Sequence, residues 1–251
     1  GELANSLLMS TAVPSLDNGS GTYFSVRRQG AGVANVYYAI VSGAYLSVEG
    51  SNRPKAEVGS SENGTYTYTA TVHNLTDGAK TYSLDTAALV ETITELNGLN
   101  YVANSEKRLS ASEVNVTYTG LTDNKLTVAA NGDATFTVTI QLTEAGKKYL
   151  DDNFPNGSYV EGFTFLTAED DEGVSLSVPF LGFYGDWGGL TVFDGDPGEQ
   201  QNMLGTALAD IDSTGSGYFV GVNNTSSAYN ESKMAYGPQR GNRQLVARVN
   251  L

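Results

Sequence analysis

No cysteine occurs in these 251 residues, so disulfides, thiol catalysis and thiolate metal sites are all excluded. That lack does not fix a compartment. Basic residues are scarce: 14 Lys and Arg face 28 Asp and Glu, for a net charge of −14. Such a chain repels polyanions, which argues against nucleic acid as a partner. The ordinary use of an acidic surface is solubility. No apolar run approaches the ~20 residues of a membrane helix, so no span is expected in this segment. Gly1-Glu2-Leu3 has no basic leader and no long apolar stretch behind it. The expectation is a mature chain or an excised piece rather than one that starts with a signal peptide.

What is abundant points to sheets. Tyrosine occurs 15 times, and threonine, valine and glycine recur throughout. The one strong helical pattern covers residues 2–12, with Leu3, Leu7 and Leu8 on one face, and Pro14 ends it. A helix this short is marginal in water without packing, so residues 1–14 should dock on a neighbouring molecule or another surface of the chain, or stay disordered in solution; intermolecular packing at high concentration, with fraying when dilute, is the expected outcome. Arg27-Arg28-Gln29-Gly30-Ala31-Gly32-Val33 reads as a glycine-punctuated turn. From about residue 44 the period becomes two. Tyr66, Tyr68, Ala70 and Val72 alternate with threonines, and Val114, Val116 and Tyr118 with Asn115 and Thr117. Phe136, Val138, Ile140 and Leu142 alternate with Thr135, Thr137, Thr139 and Gln141. Tyr159–Thr167 and Val174–Phe183 complete a set separated by Asn-Gly and Asp-Gly turns. Short strands so spaced predict a mainly β fold, an antiparallel sandwich, with one connecting helix near Glu144–Asp152. Residues 218–222 and 245–251 are further strand candidates.

Three stretches carry a resemblance. Leu7-Leu8-Met9-Ser10-Thr11-Ala12, followed by Gln29-Gly30-Ala31-Gly32-Val33 and Ala39, resembles the last helices and closing strand of subtilase catalytic domains. Val72-His73-Asn74-Leu75 looks like the opening of a fibronectin type III-like domain. Asn156-Gly157-Ser158-Tyr159-Val160-Glu161-Gly162-Phe163 with Val178-Pro179-Phe180-Leu181-Gly182-Phe183-Tyr184-Gly185-Asp186-Trp187 is similar to the end of that domain. Together they resemble the C-terminal part of a cell-envelope subtilisin-like serine protease of the lactocepin or complement-cleaving type. Beyond residue 187 the likeness is weak. Gly237-Pro238-Gln239-Arg240-Gly241-Asn242-Arg243 only loosely resembles the family's calcium-suited turn, so no metal is carried over. The resemblance implies a subtilase tail over 1–43, a fibronectin III-like sandwich over 44–187 and the incomplete start of a second β domain over 188–251.

The chemistry is thin. A subtilase needs Ser, His and Asp with an oxyanion hole, and its usual Gly-Thr-Ser-Met-Ala nucleophile segment is not in this sequence. The single histidine, His73, reads as a structural strand-end residue, and no Gly-x-Ser-x-Gly elbow occurs. Glu169-Asp170-Asp171-Glu172-Gly173 and Asp194-Gly195-Asp196 offer oxygen ligands that would suit calcium, but acidic turns are usually just solvated and neither has EF-hand spacing. Glu161-Gly162 suggests a bulge or close backbone approach, and Pro179 a strand edge or bulge. Trp187 reads as a domain-closing core residue. Asn-x-Ser/Thr triplets read as turn residues. No catalytic, cofactor-binding or metal residue is therefore assigned, and no cofactor is expected.

The reading that follows is a non-catalytic accessory fragment of an extracellular bacterial serine endopeptidase. Its partners would be the parent catalytic domain, which it would buttress, and protein substrates, whose access it would shape. The alternative is an adhesin-like or carbohydrate-binding sandwich of a bacterial surface protein, because such folds host many functions. A separate ligand module over 188–251 is a third option.

Overall fold

A computed structural model describes residues 1–170, 172–188, 207–211, 217–219 and 244–248. The chain divides into two compact units, Gly1–Gly188 and Gly189–Leu251. The first opens with α1 (Glu2–Ser10), β1 (Leu16–Asp17), β2 (Thr22–Tyr23), α2 (Val26–Gln29) and α3 (Val36–Val41). There follow β3 (Ala44–Val48), β4 (Ala56–Ser61), β5 (Thr65–Asn74), β6 (Lys80–Leu96), β7 (Leu99–Arg108), β8 (Val114–Thr119), β9 (Lys125–Val128) and β10 (Asp133–Leu142). After the connecting helix α4 (Glu144–Asn153) come β11 (Ser158–Ala168) and β12 (Leu176–Tyr184). In the second unit, β13 (Ala207–Ile211) lies between β14 (Gly217–Phe219) and β15 (Gln244–Arg248), all antiparallel. The tail of each strand candidate there lies outside the described residues, as do Asp194, Asp196 and residues 237–243.

Two sheets make the sandwich. One runs β3-β5-β10-β8; the other runs β4-β12-β11-β6-β7, with β9 also on β6. In the first the period-two pattern holds. Tyr66, Tyr68, Ala70, Val72, Phe136, Val138, Ile140 and Leu142 are all buried. Their register (Val138↔Tyr68, Ile140↔Tyr66) sets the threonines opposite one another on the other face. There the hydroxyls of Thr67 and Thr139, Thr69 and Thr137, and Thr71 and Thr135 hydrogen-bond at 2.9–3.2 Å.

In the second sheet the alternation gives way to burial on both faces of β11 and β12. Antiparallel sheets commonly wet one face. Here residues 1–43 cover it. Val160, Leu166, Val178 and Phe180 join the sandwich core. On the opposite face the Tyr23 ring packs on Phe163 and Phe165 at 5.8 and 5.3 Å.

The helix α1 seats on its own chain, against β3, α3 and β12. Its C-terminal end is the anchored part: Ser10 is buried and its hydroxyl accepts from the Leu46 N–H at 2.9 Å. Leu7 and Leu8 are half-buried, while Leu3 stays exposed.

The turn expected over 27–33 is partly helical. The α2 helix stops at Gly30, which takes φ 61°, and Val33 then makes a single bridge with Val13. No closing strand follows, because Ala39 belongs to α3. Gly162 is a close approach rather than a bulge. Its pairing with Ala88 and Phe180 is in register, its φ is 148°, and a Cβ there would sit 1.9 Å from the Ala87 carbonyl oxygen. The sheet's register shifts fall instead at Leu181/Gly182, within the parallel pairing of β12 with β4, and at Glu91/Ile93 between β6 and β7. Pro179 lies one residue before Phe180, the first residue of β12 to pair with β4, so its edge there is still open.

Candidate functional site

The segment over 11–33 is held by three devices. Gln29 ties its own loop: its Oε1 accepts from Ser15 N–H at 2.7 Å and its Nε2 donates to the Phe24 carbonyl at 2.6 Å. Gly32 lets the chain pass Val13, whose backbone would lie 2.5 Å from any Cβ at that position; its φ of 111° also favours glycine. The third device is Arg27. Its backbone N–H donates to Glu161 Oε2 at 3.0 Å and its Nε to Glu161 Oε1 at 2.8 Å. The guanidinium also reaches Glu91 at 3.0 Å and lies 3.8 Å over the Tyr159 ring.

This arrangement explains the Glu161-Gly162 pair. The Glu161 side chain is fully buried in the middle of β11. A carboxylate so placed needs a charged, hydrogen-bonding partner, and the fork of Arg27 supplies one. Burial works against the Arg27 charge, yet Glu161 and Glu91 more than offset it and raise its pKa. Glu91 is itself held, accepting from Ser158 Oγ and Tyr159 N–H. Glu106, on β7, completes the cluster 3.8 Å from Arg27. Neither Arg27, Glu91 nor Glu106 stands out in the sequence, because the three lie on α2, β6 and β7 and only the fold gathers them.

Next to this anchor lies an apolar surface. Asn35 caps α3 by accepting from Tyr38 N–H at 3.0 Å. Of the six residues of α3 only Ala39 is buried; Val36, Tyr37, Tyr38, Ile40 and Val41 are exposed, Ile40 by 76%. The bridged pair Val13 and Val33 is exposed as well. A groove of about 400 Å³ beside α3 is lined by Val13, Pro14, Tyr37, Tyr38, Val41 and Phe165 among others. Single exposed apolar residues are normal, whereas a contiguous group of this kind is uncommon on a protein surface.

His73 sits in an unexpected row. Asp133 Oδ1 lies 2.7 Å from its Nδ1, Ser47 Oγ lies 2.8 Å from its Nε2, and Tyr45 stacks on the ring at 4.6 Å. Sequence order hides this, since β3, β5 and β10 bring the three together. Acyl transfer also requires hydrogen-bond donors aimed at an oxyanion. On a sheet face the strand N–H groups point along the ladder, in the plane of the sheet. The row is a cross-strand tie.

The remaining candidates are placed as follows. Glu169 pairs with Lys125, which lowers its pKa, and Asp170 O accepts from Gly173 N–H in the turn. Asp171 lies outside the described residues. Among the described residues no three His, Asp or Glu side chains converge as metal ligands. Nor is any described helix long and apolar enough to cross a membrane. Trp187 is not a core residue: it is 54% exposed and packs on Phe183 and Tyr159 at 5.0 and 5.5 Å.

Comparison with known proteins agrees with this architecture. Residues 57–181 match the Fn3-like domain family. C5a peptidase of Streptococcus pyogenes serotype M6 is 28% identical over 193 residues, covering 77% of this chain and 15% of that protein. The PII-type proteinase of Lactococcus lactis subsp. cremoris is 26% identical over 228 residues, covering 85% of this chain and 11% of that protein. The chain therefore spans less than a sixth of these relatives' lengths. Among solved structures, a family 123 glycoside hydrolase from Clostridium perfringens aligns over 57% of this chain and 27% of its own. Its TM-score is 0.39 and its identity 9%, too low to bear on function.

Proposed function

Residues 57–181 belong to the Fn3-like domain family, and on that premise we propose that this chain is a non-catalytic region of an exported bacterial cell-surface serine endopeptidase. It buttresses the catalytic domain and shapes the approach of protein substrates. The homology to C5a peptidase and the lactococcal proteinase supports the setting. The observation that carries the role is the exposed apolar face of α3 with Val13 and Val33. It lies on the segment that resembles a subtilase tail, and the catalytic domain is the surface suited to cover it. The Arg27–Glu161 anchor would then tie that contact to the sandwich.

The test is a parent protein carrying both regions. Ile40→Asp and Tyr37→Ser should lower the thermal stability of its catalytic domain and its peptidase activity, yet leave the present chain's own unfolding midpoint unchanged. Hydrogen exchange should show residues 36–41 protected in the longer protein and open in this chain. Equal exchange in both, with full activity of the variants, would overturn the proposal.

A further inference from the structure

The Arg27 cluster sets three carboxylates around one guanidinium, and the third is left short. Glu106 is buried, its Oε1 lies 3.8 Å from Arg27, and its Oε2 has no hydrogen-bond partner. A buried ionised oxygen without a partner is costly, whereas a protonated carboxyl has no charge to bury. We propose that the cluster is a proton-operated latch: while Glu106 holds a proton, α2 stays clamped on the sheet, and when the proton leaves, the clamp loosens and residues 25–30 lift. This goes beyond the functional reading above and does not depend on it.

The groups facing Glu106 set the direction. Glu161 on β11 and Glu91 on β6 are like charges that disfavour its ionisation. Arg27 and the Ser25 hydroxyl, from the α2 side, favour it. Arg28 is turned to the Asn104 carbonyl at 3.0 Å and stacks over Phe24 at 4.9 Å. On β7 itself, Lys107 is committed to Glu113 and Arg108 to Asp85. Burial first, then Glu161, push the Glu106 pKa up to about 7.

The sign follows from linkage. A group whose folded pKa is raised binds its proton more tightly in the folded state. Its contribution is full below the unfolded value of 4.5 and is lost as pH rises through about 7. The latch is thus closed in mildly acidic medium and opens in mildly alkaline medium. A cluster pinning a helix of four residues is the natural place for such an effect to show locally, since a short segment opens at far less cost than the sandwich.

Hydrogen exchange of the Arg28, Gln29 and Gly30 amides tests this, because their bonds to Ser25 and Val26 carbonyls exist only while α2 is formed. After correction for intrinsic exchange, their opening constant should rise roughly tenfold or more between pH 5.5 and 8 in the wild type. It should stay flat in Glu106→Gln, with the Val138 amide as an invariant control. Matching pH profiles in wild type and variant would overturn the proposal. If the variant does not fold, carboxyl carbon NMR of the wild type decides instead. A Glu106 titration near 7 supports the latch, and one in the ordinary glutamate range, about 4.3, refutes it.

Discussion

Replacing Arg27 by alanine would remove the partner of a carboxylate that has no access to water, and the size of the loss can be worked out in advance. The Glu161 side chain has no exposed surface and takes two of its hydrogen bonds from Arg27, one from Nε and one from the backbone N–H. The backbone bond can survive the substitution; the charge cannot be replaced. Breaking a buried ion pair from one side costs about 3–5 kcal/mol. Loss of the guanidinium from the Tyr159 ring adds about 0.5–1 kcal/mol. The Arg27 side chain is 28% exposed, so water can reach the vacated space and the lower end is expected, about 3 kcal/mol. Urea unfolding at pH 7 would measure it. Arg27→Met combined with Glu161→Leu should recover most of the stability, since no lone charge then remains. A loss below 1 kcal/mol for Arg27→Ala, or no recovery in the double variant, would refute the account of Glu161 as a paired buried charge.

Three further outcomes are expected. Val138→Asp should unfold the sandwich, at a cost above about 4 kcal/mol, whereas Thr137→Asp on the opposite face should change stability by less than about 1 kcal/mol; circular dichroism melts of both check the register. Gly162→Ala should destabilise by about 2 kcal/mol or more, because its Cβ would meet the Ala87 carbonyl and its φ is 148°; a melting temperature equal to wild type would contradict this. Ser47 should remain unlabelled by a fluorophosphonate probe despite its bond to His73, as should every other serine; stoichiometric modification, read by mass spectrometry, would show that the row is a working nucleophile.

What the sequence by itself determined is local and periodic. The alternation in Thr65–Val72 and Thr135–Leu142 names which residues are buried, because a strand has a period of two and these two lie on a sheet with one wet face. The connecting helix near Glu144–Asp152 is likewise legible in the sequence, and the structure adds its Thr143 cap. The stretches Leu7–Ala12, Gln29–Val33 and Asn156–Trp187 pointed to the protease family without any coordinate. Two things required the tertiary structure. One is burial on both faces of β11 and β12: alternation vanishes when a second layer covers a sheet, and that layer is residues 1–43, more than a hundred residues away in the chain. The other is every charged constellation. Arg27 with Glu91, Glu106 and Glu161, and Ser47 with His73 and Asp133, are scattered single residues in sequence. Electrostatic partnership depends on distance in space, and sequence separation carries no information about it once the chain has folded back on itself.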